Sequence, residues 1–238
     1  MASKQPLRVL VVGYGGGQIT FLSRLVKGLA DAGIKLTVTS PKRTRPTLLD
    51  HPNIRLLKTT PWEGGMIGRL SRLAGLCLRR FSFPRLGWLK EQLQSAPSRR
   101  MRLVYLNRYL PFLRGDWDLV YFPWNAAAIS YRGLYDLGIP VVVSCRGSQV
   151  NIRPHLPGQE EYAAGFRSSL EQATAVHCVS KAIQVEAQKF GLDPAKSMVI
   201  PPAVDPDFFK PPETPPQNEG FSLVTTGSLI WRKGYEYL

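Results

Sequence analysis

The sequence predicts an α/β protein built on a parallel sheet with helices on both faces. Three observations carry that expectation. Runs of strand type alternate with runs of helical period from the first residues onward, the mark of βαβ units. The opening run, Leu7–Val12, is β-branched and apolar, as in a strand buried on both faces. A glycine-rich turn, Gly13–Gly17, follows it at once.

The elements then come in order. Ile19, Leu22, Val26 and Leu29 recur at helical spacing, and Gly33 stops that helix. Lys35–Thr39 is a second strand and Ile54–Leu57 a third. Beyond a basic middle come Leu119–Phe122 as strand, Ala126–Leu137 as helix and Ile139–Cys145 as strand. Glu160–Glu171 reads as helix, Ala175–Val179 as strand, Lys181–Phe190 as helix and Met198–Ile200 as a short strand. Residues 201–219 hold seven prolines and no periodicity, which reads as an interdomain linker. Phe221–Thr226 then starts a strand, and Tyr235–Leu238 the first turn of a helix. About eighteen residues cannot bury a core of their own. The expected organisation is therefore a first domain over 1–200, a linker over 201–219 and the stub of a second βα domain over 220–238.

At 44% hydrophobic and 20% charged, the 238 residues have an ordinary globular composition, which excludes disordered and fibrous classes. The net charge of +14 is unevenly placed. Residues 1–65 carry 10 basic and 3 acidic side chains, 66–114 carry 11 and 1, and 116–238 carry 10 and 13. All the excess lies before Asp116, which predicts an anionic partner for the first half. Cys77, Cys145 and Cys178 are too few and too scattered for a disulfide framework or a metal cluster and read as buried free thiols. The amino-terminal segment lacks the long apolar region of a signal peptide, and no stretch approaches the ~20 apolar residues of a spanning helix. The expected place is the cytoplasm, with peripheral contact to the cytoplasmic membrane face.

The glycine turn invites a dinucleotide reading, but Gln18 stands where that fingerprint needs its third glycine. No acidic residue closes the second strand, although Lys42 and Arg43 leave a 2′-phosphate reading open. The more general reading is close backbone approach to a ligand, with a helix N-terminus offering N–H groups to an anion. In the basic middle, Met66, Leu70, Leu73 and Cys77 share one helical face, and Leu103, Leu106, Leu110 and Leu113 form a second stripe among arginines. Such helices either lie in a membrane interface or are core helices with a solvated arginine face. No aromatic strand platform or helical reader accompanies the arginines, so nucleic acid is not the expected partner.

Four phrases, taken in order, resemble family-4 glycosyltransferases of the GT-B fold, whose N-terminal domain is Rossmann-like. LRVLVVGYGGGQITFLSRLVKGLADAGIKLTVTS is similar to their opening strand, glycine loop, helix and second strand. PVVVSCRGSQVN resembles their "V-V-V-T-x-H-G-S" strand and loop. ATAVHCVSKAIQVEAQKFGLDPAKSMVIPPAVDPDFFKP resembles the run from "A-x-x-V-x-x-V-S" to "V-I-P-N-G-V-D-x-x-x-F-x-P". GSLIWRKGYEYL resembles the "G-R-L-x-x-x-K-G" opening of their donor-binding domain.

The resemblance implies sugar transfer from a nucleotide-sugar, of UDP or GDP type, to a glycan or lipid-linked acceptor. It implies retention of configuration, with no metal and no cofactor beyond the nucleotide-sugar. It places Gly15, Gly16, Gly17 and Gln18 at the cleft, with Arg146, Gly147 and Ser148 at the next cleft-facing loop. Lys233 matches the basic residue that contacts donor phosphates, where a point charge with rotatable donors suits the task. Ser228 stands where a second phosphate-binding arginine is usual, and Arg232 is its candidate substitute. Arg146 stands where a histidine is usual, and a guanidinium there binds oxygen or phosphate but cannot act as a base. His155, nine residues on, is the candidate to replace that histidine. The acidic motif of the donor domain lies beyond Leu238, so the 238-residue chain alone is expected to be nearly inactive. A non-catalytic module that binds membranes or phosphate is the alternative.

Overall fold

The structure, a computed structural model, describes residues 5–13, 20–40, 50–59, 85–204 and 206–211, with 213, 220, 223–227, 229, 231 and 234–237 beyond these. The chain divides into two compact units, Met1–Pro202 and Ala203–Leu238.

Among the described residues the first unit is built on a seven-stranded parallel sheet. Its strands are β1 (Arg8–Val11), β2 (Lys35–Ser40), β3 (Ile54–Lys58), β4 (Leu119–Phe122), β5 (Val141–Cys145), β6 (Ala175–Cys178) and β7 (Ser197–Val199), in the order β3-β2-β1-β4-β5-β6-β7. The period of two in a strand explains why β1 is apolar on both sides. Leu10 and Val12 enter one core with Val120, Phe122 and Val143, whereas Val9 and Val11 enter a second with Val38, Ile54 and Tyr121.

Helix α1 (Thr20–Asp31) covers the second core through Leu22, Val26 and Ala30, which fall at successive i+4 positions and are fully buried. Gly33 ends it at φ +86°, and the Ile34 N–H closes back on the Leu29 carbonyl at 3.1 Å. The other core lies under α2 (Leu86–Gln94), α3 (Arg99–Tyr109), α4 (Asn125–Ser130), α6 (Glu160–Gln172) and α7 (Lys181–Gln188), with the short α5 (Ser148–Asn151) after β5. Ser98 caps α3 by accepting from Met101 N–H at 3.2 Å, and Ser180 caps α7 by accepting from Ile183 N–H at 3.2 Å.

At the opposite, N-terminal end of the strands, Arg8 straps β1 to β4. Its backbone N–H donates to Asp118 at 2.8 Å, and its guanidinium pairs with both Asp118 and Asp116. Those hydrogen bonds hold the Asp118 carboxyl down at about 2.

Three expectations need correction. The helix expected over Ala126–Leu137 is α4 followed by a 3₁₀ turn, Arg132–Leu137. The break lets Gly133 approach α2 and α3, where a Cβ would lie 2.3 Å from Gln92 Oε1 and 2.9 Å from Tyr109 Cζ. The stripe expected at Leu103, Leu106, Leu110 and Leu113 divides: Leu113, beyond α3, is buried, Leu106 and Leu110 pack partly buried against the core, and Leu103 is 57% exposed, while the fully buried residues of α3 itself are Tyr105 and Tyr109. These tyrosines bury because their hydroxyls are paired, Tyr109 accepting from Gly133 N–H at 3.1 Å and Tyr105 from Arg132 at 2.9 Å. Of the strand expected over Phe221–Thr226, residues 223–226 join no ladder, and 221 and 222 lie outside the described residues. The stripe at Met66, Leu70, Leu73 and Cys77 also lies outside them.

In the second unit the described residues include a 3₁₀ turn, Tyr235–Tyr237, and a ring contact between Phe208 and Phe209, with centroids 4.9 Å apart. None of them is buried; Val224, Leu229 and Trp231 are each more than three-quarters exposed.

Candidate functional site at the strand ends

In an open parallel sheet the ligand crevice lies at the carboxyl ends of the strands, where the strand order reverses. The reversal here falls between β1 and β4, so the residues just after those strands are the candidates. Gly13 follows β1 at φ +93°, and a Cβ there would stand 2.5 Å from the Ala127 Cβ. Glycine is required both by that angle and by the approach of α4. The Gly13 N–H donates to Thr39 Oγ1 at 3.0 Å, which ties the turn to β2.

Two buried oxygens at this edge have no hydrogen-bond partner among the described residues: Ser40 Oγ, at the end of β2, and Asn125 Oδ1, at the start of α4. The Asn125 amide N–H groups are spent on the Gln149 carbonyl at 3.0 Å and the Tyr162 hydroxyl at 2.8 Å. An unpaired buried oxygen is costly, and such atoms concentrate where a ligand or water completes the site.

Arg146, directly after β5, is the organised cation of the edge. Its Nε–H donates to Ser144 Oγ at 2.9 Å, and its guanidinium lies over the Phe21 ring, 4.6 Å from the centroid. Phe21, in the first turn of α1, stands edge-on to Trp124, which follows β4, at 5.5 Å. Ser144 in turn meets His177 Nδ1 at 3.0 Å, because β5 and β6 place Ser144 opposite His177 in register. His177 Nε2 lies 2.8 Å from the Ile200 carbonyl beyond β7. Burial holds the His177 imidazole below its ordinary value, and the Arg146 charge pushes the same way against the bond to Ile200.

Of the residues expected from sequence, Arg146, Gly147 and Ser148 lie together at this edge, Gly147 at φ +45° and Ser148 opening α5. Gly15, Gly16, Gly17, Gln18, Ser228, Arg232 and Lys233 lie outside the described residues. His155 does not stand in for a histidine at the edge. Its Nε2 lies 2.8 Å from Glu186, and its ring packs edge-on against Phe190, so it ties a surface turn to α7. His177, Ser144, Phe21 and Trp124 were not among the expected site residues. The one signal was polar residues inside apolar strands, VVVSC and AVHC. Cys145 and Cys178 are buried free thiols opposite one another, and the hydrogen bond between them together with burial pushes the Cys145 thiol up.

Among the described residues no group of three or more His, Cys, Asp or Glu is placed to hold a metal ion. A groove of about 710 Å³ runs between α3, α4 and α6; along it Arg108 donates to the Ser130 carbonyl, Arg132 to the Tyr105 hydroxyl and Arg153 to Gln159 Oε1. The strand-end arrangement can therefore bind and orient an oxyanion. Among the described residues it offers no free base, since both His177 nitrogens are engaged and a guanidinium stays protonated.

The family model described as Glycosyltransferase Family 4 matches residues 15–208. Among solved structures the chain is similar to Alr3699/HepE of Anabaena in complex with UDP, at 15% identity over 87% of this chain and 47% of that one, with a TM-score of 0.51. The complex of the same protein with UDP-glucose gives the same values. A glycosyltransferase of Rickettsia africae is 17% identical over 90% of this chain and 48% of that one, with a TM-score of 0.48. The chain thus spans about half the length of the solved structures it matches. No curated protein matches it.

Proposed function

Because the chain belongs to glycosyltransferase family 4, we propose that it transfers a sugar from a nucleotide-sugar to an acceptor. The observation that carries this reading is the match over 15–208, whose span takes in the strand-end crevice and its organised arginine. The UDP and UDP-glucose complexes of the Anabaena protein support a UDP-type donor. In this reading Gly15, Gly16, Gly17, Gln18, Arg146, Gly147 and Ser148 bind at the acceptor-side cleft. Lys233 and Arg232, with Ser228, hold the donor phosphates, where fixed cations stabilise the charge that grows on the leaving diphosphate. Family habit supports retention, without a metal.

The unit Ala203–Leu238 is then the opening of a donor-binding domain over 220–238, reached through the proline-rich linker, and the exposed Leu229 and Trp231 support that reading. The test is nucleoside diphosphate release by the sequence joined to a complete donor-binding half, with UDP- and GDP-sugars and a panel of acceptors. Release above the uncatalysed rate is expected there, with little from the 238 residues alone. No turnover with any pair refutes the reading.

One observation favours a membrane-linked acceptor. Between α2 and α3 lies an apolar groove of about 410 Å³, lined by Leu86, Leu89, Leu93, Leu103 and Leu106 and edged by Lys90 and Arg102. A basic, apolar face of this kind suits an anionic bilayer and with it a lipid-linked or cell-envelope acceptor. Among the described residues no helix is long and apolar enough to cross a membrane; the contact proposed is a peripheral one. Flotation with anionic liposomes at low and high salt tests it; association that is absent, or indifferent to salt, removes the electrostatic case.

A further inference from the structure

The hydrogen bonds at the strand ends have a fixed direction. The Ile200 carbonyl can only accept, so His177 Nε2 carries the ring proton. In the neutral ring Nδ1 is then bare and accepts the Ser144 hydroxyl proton across 3.0 Å. With its proton committed to His177, Ser144 Oγ presents a lone pair to Arg146 Nε–H across 2.9 Å. The relay therefore runs from Arg146 through Ser144 and His177 to the backbone beyond β7.

Each restraint removes one freedom of the guanidinium. Ser144 takes its Nε edge, and the Phe21 ring, itself braced by Trp124, takes one face. What remains is the end carrying Nη1 and Nη2, which donate to no described residue. Two parallel N–H groups at that end match the two oxygens of a phosphate or carboxylate, and orientation in advance removes the ordering cost that a free arginine bears on binding. The position is the β1/β4 crevice, where ligands of such sheets bind.

We propose that Arg146 is an end-on oxyanion receptor, positioned by Ser144, His177 and Phe21, that selects a substrate carrying a phosphate or carboxylate at this edge. The proposal deepens the glycosyltransferase reading by naming the chemistry its strand-end site accepts. The oxyanion is either a phosphate of the donor diphosphate or a carboxylate on one of the sugars. Ser144 and His177 are positioning residues, since neither touches the ligand.

The test follows the Arg146 side-chain Nε–H in ¹⁵N NMR spectra of the 238-residue chain at 150 mM salt, during titration with pyrophosphate, glucuronate and neutral glucose. A saturable shift with pyrophosphate alone supports the donor source, with glucuronate alone the sugar carboxylate, and with both the shared chemistry. No shift with either anion, or an equal shift with glucose, overturns the proposal, and this arm needs no variant to fold. Arg146→Gln and Arg146→Lys should each weaken anion binding about tenfold or more, lysine because it has neither the paired donors nor an Nε–H. His177→Asn keeps an acceptor where Nδ1 was and should bind within about twofold of wild type. His177→Gln keeps only the Nε2-like donor and should weaken binding several-fold, as should Ser144→Ala. Equal losses in the two His177 variants, or undiminished binding in Arg146→Gln, overturn the proposal. Anion binding that depends on Arg146, without nucleotide release by the extended enzyme, defeats the transfer reading alone. Release that does not depend on Arg146 defeats this inference alone.

Discussion

Arg146 at the strand ends and Arg102 on the α2–α3 hairpin are the same side chain in opposite circumstances. Arg146 is pinned by a hydroxyl on one edge and a ring on one face, whereas Arg102 edges a groove of leucines and is exposed. The hairpin is itself well anchored, but from its other side. Trp88 Nε1 donates to the Gly133 carbonyl at 2.8 Å, Gly133 N–H donates to Tyr109, and Gln92 donates to Asp136 at 2.7 Å. The difference teaches that net charge says little about where a cation acts. A fixed arginine recognises shape; a solvated array acts through its summed field.

Breaking the strand-end region should cost most. Gly13→Ala combines a strained φ with a Cβ 2.5 Å from Ala127, and should lower stability by about 3 kcal/mol. Calorimetry checks it, and a loss below about 0.5 kcal/mol would show slack where the site requires rigidity. On the hairpin's anchored side, Tyr109→Phe leaves the buried Gly133 N–H unpaired and should cost about 1–3 kcal/mol in urea titrations.

The pH response should separate the two regions more finely. The folded His177 value is depressed, so as pH falls below the ordinary ~6.5 the unfolded chain takes up the proton first and stability declines. His177→Asn should flatten that part of the decline between pH 7 and 5, and an unchanged slope would remove His177 as its source. The smallest effect is expected on the exposed side of the hairpin. Leu103→Ser should change stability by less than about 0.5 kcal/mol, yet weaken binding to anionic vesicles. Undiminished vesicle binding would place the membrane contact elsewhere.

Much of the fold was legible because its signals are local. The runs at Val9–Val12, Val120–Phe122 and Val141–Val143, with stops such as Gly33, announce buried strands and their helices without reference to partners. Arg146, Gly147 and Ser148 were legible as a loop after such a strand. The buried face of α3 was not, because leucine outranks tyrosine on any hydropathy count until Gly133 and Arg132 supply partners for the hydroxyls. The break after α4 was hidden for a similar reason, since residues 126–137 show helical period and only the approach of Gln92 and Tyr109 to Gly133 demands a tighter turn.

The sequence by itself therefore determined that this is a chain of alternating strands and helices with a glycine turn after its first strand and an arginine after its fifth. Those features depend on backbone propensity and on burial period, which neighbours along the chain decide. Only the tertiary structure decided that β4 pairs with β1, that Ser144 stands opposite His177, and that Phe21 lies under Arg146. Strand register and helix docking join residues 33 to 125 positions apart, and their free energy comes from contacts that exist only once the sheet has formed.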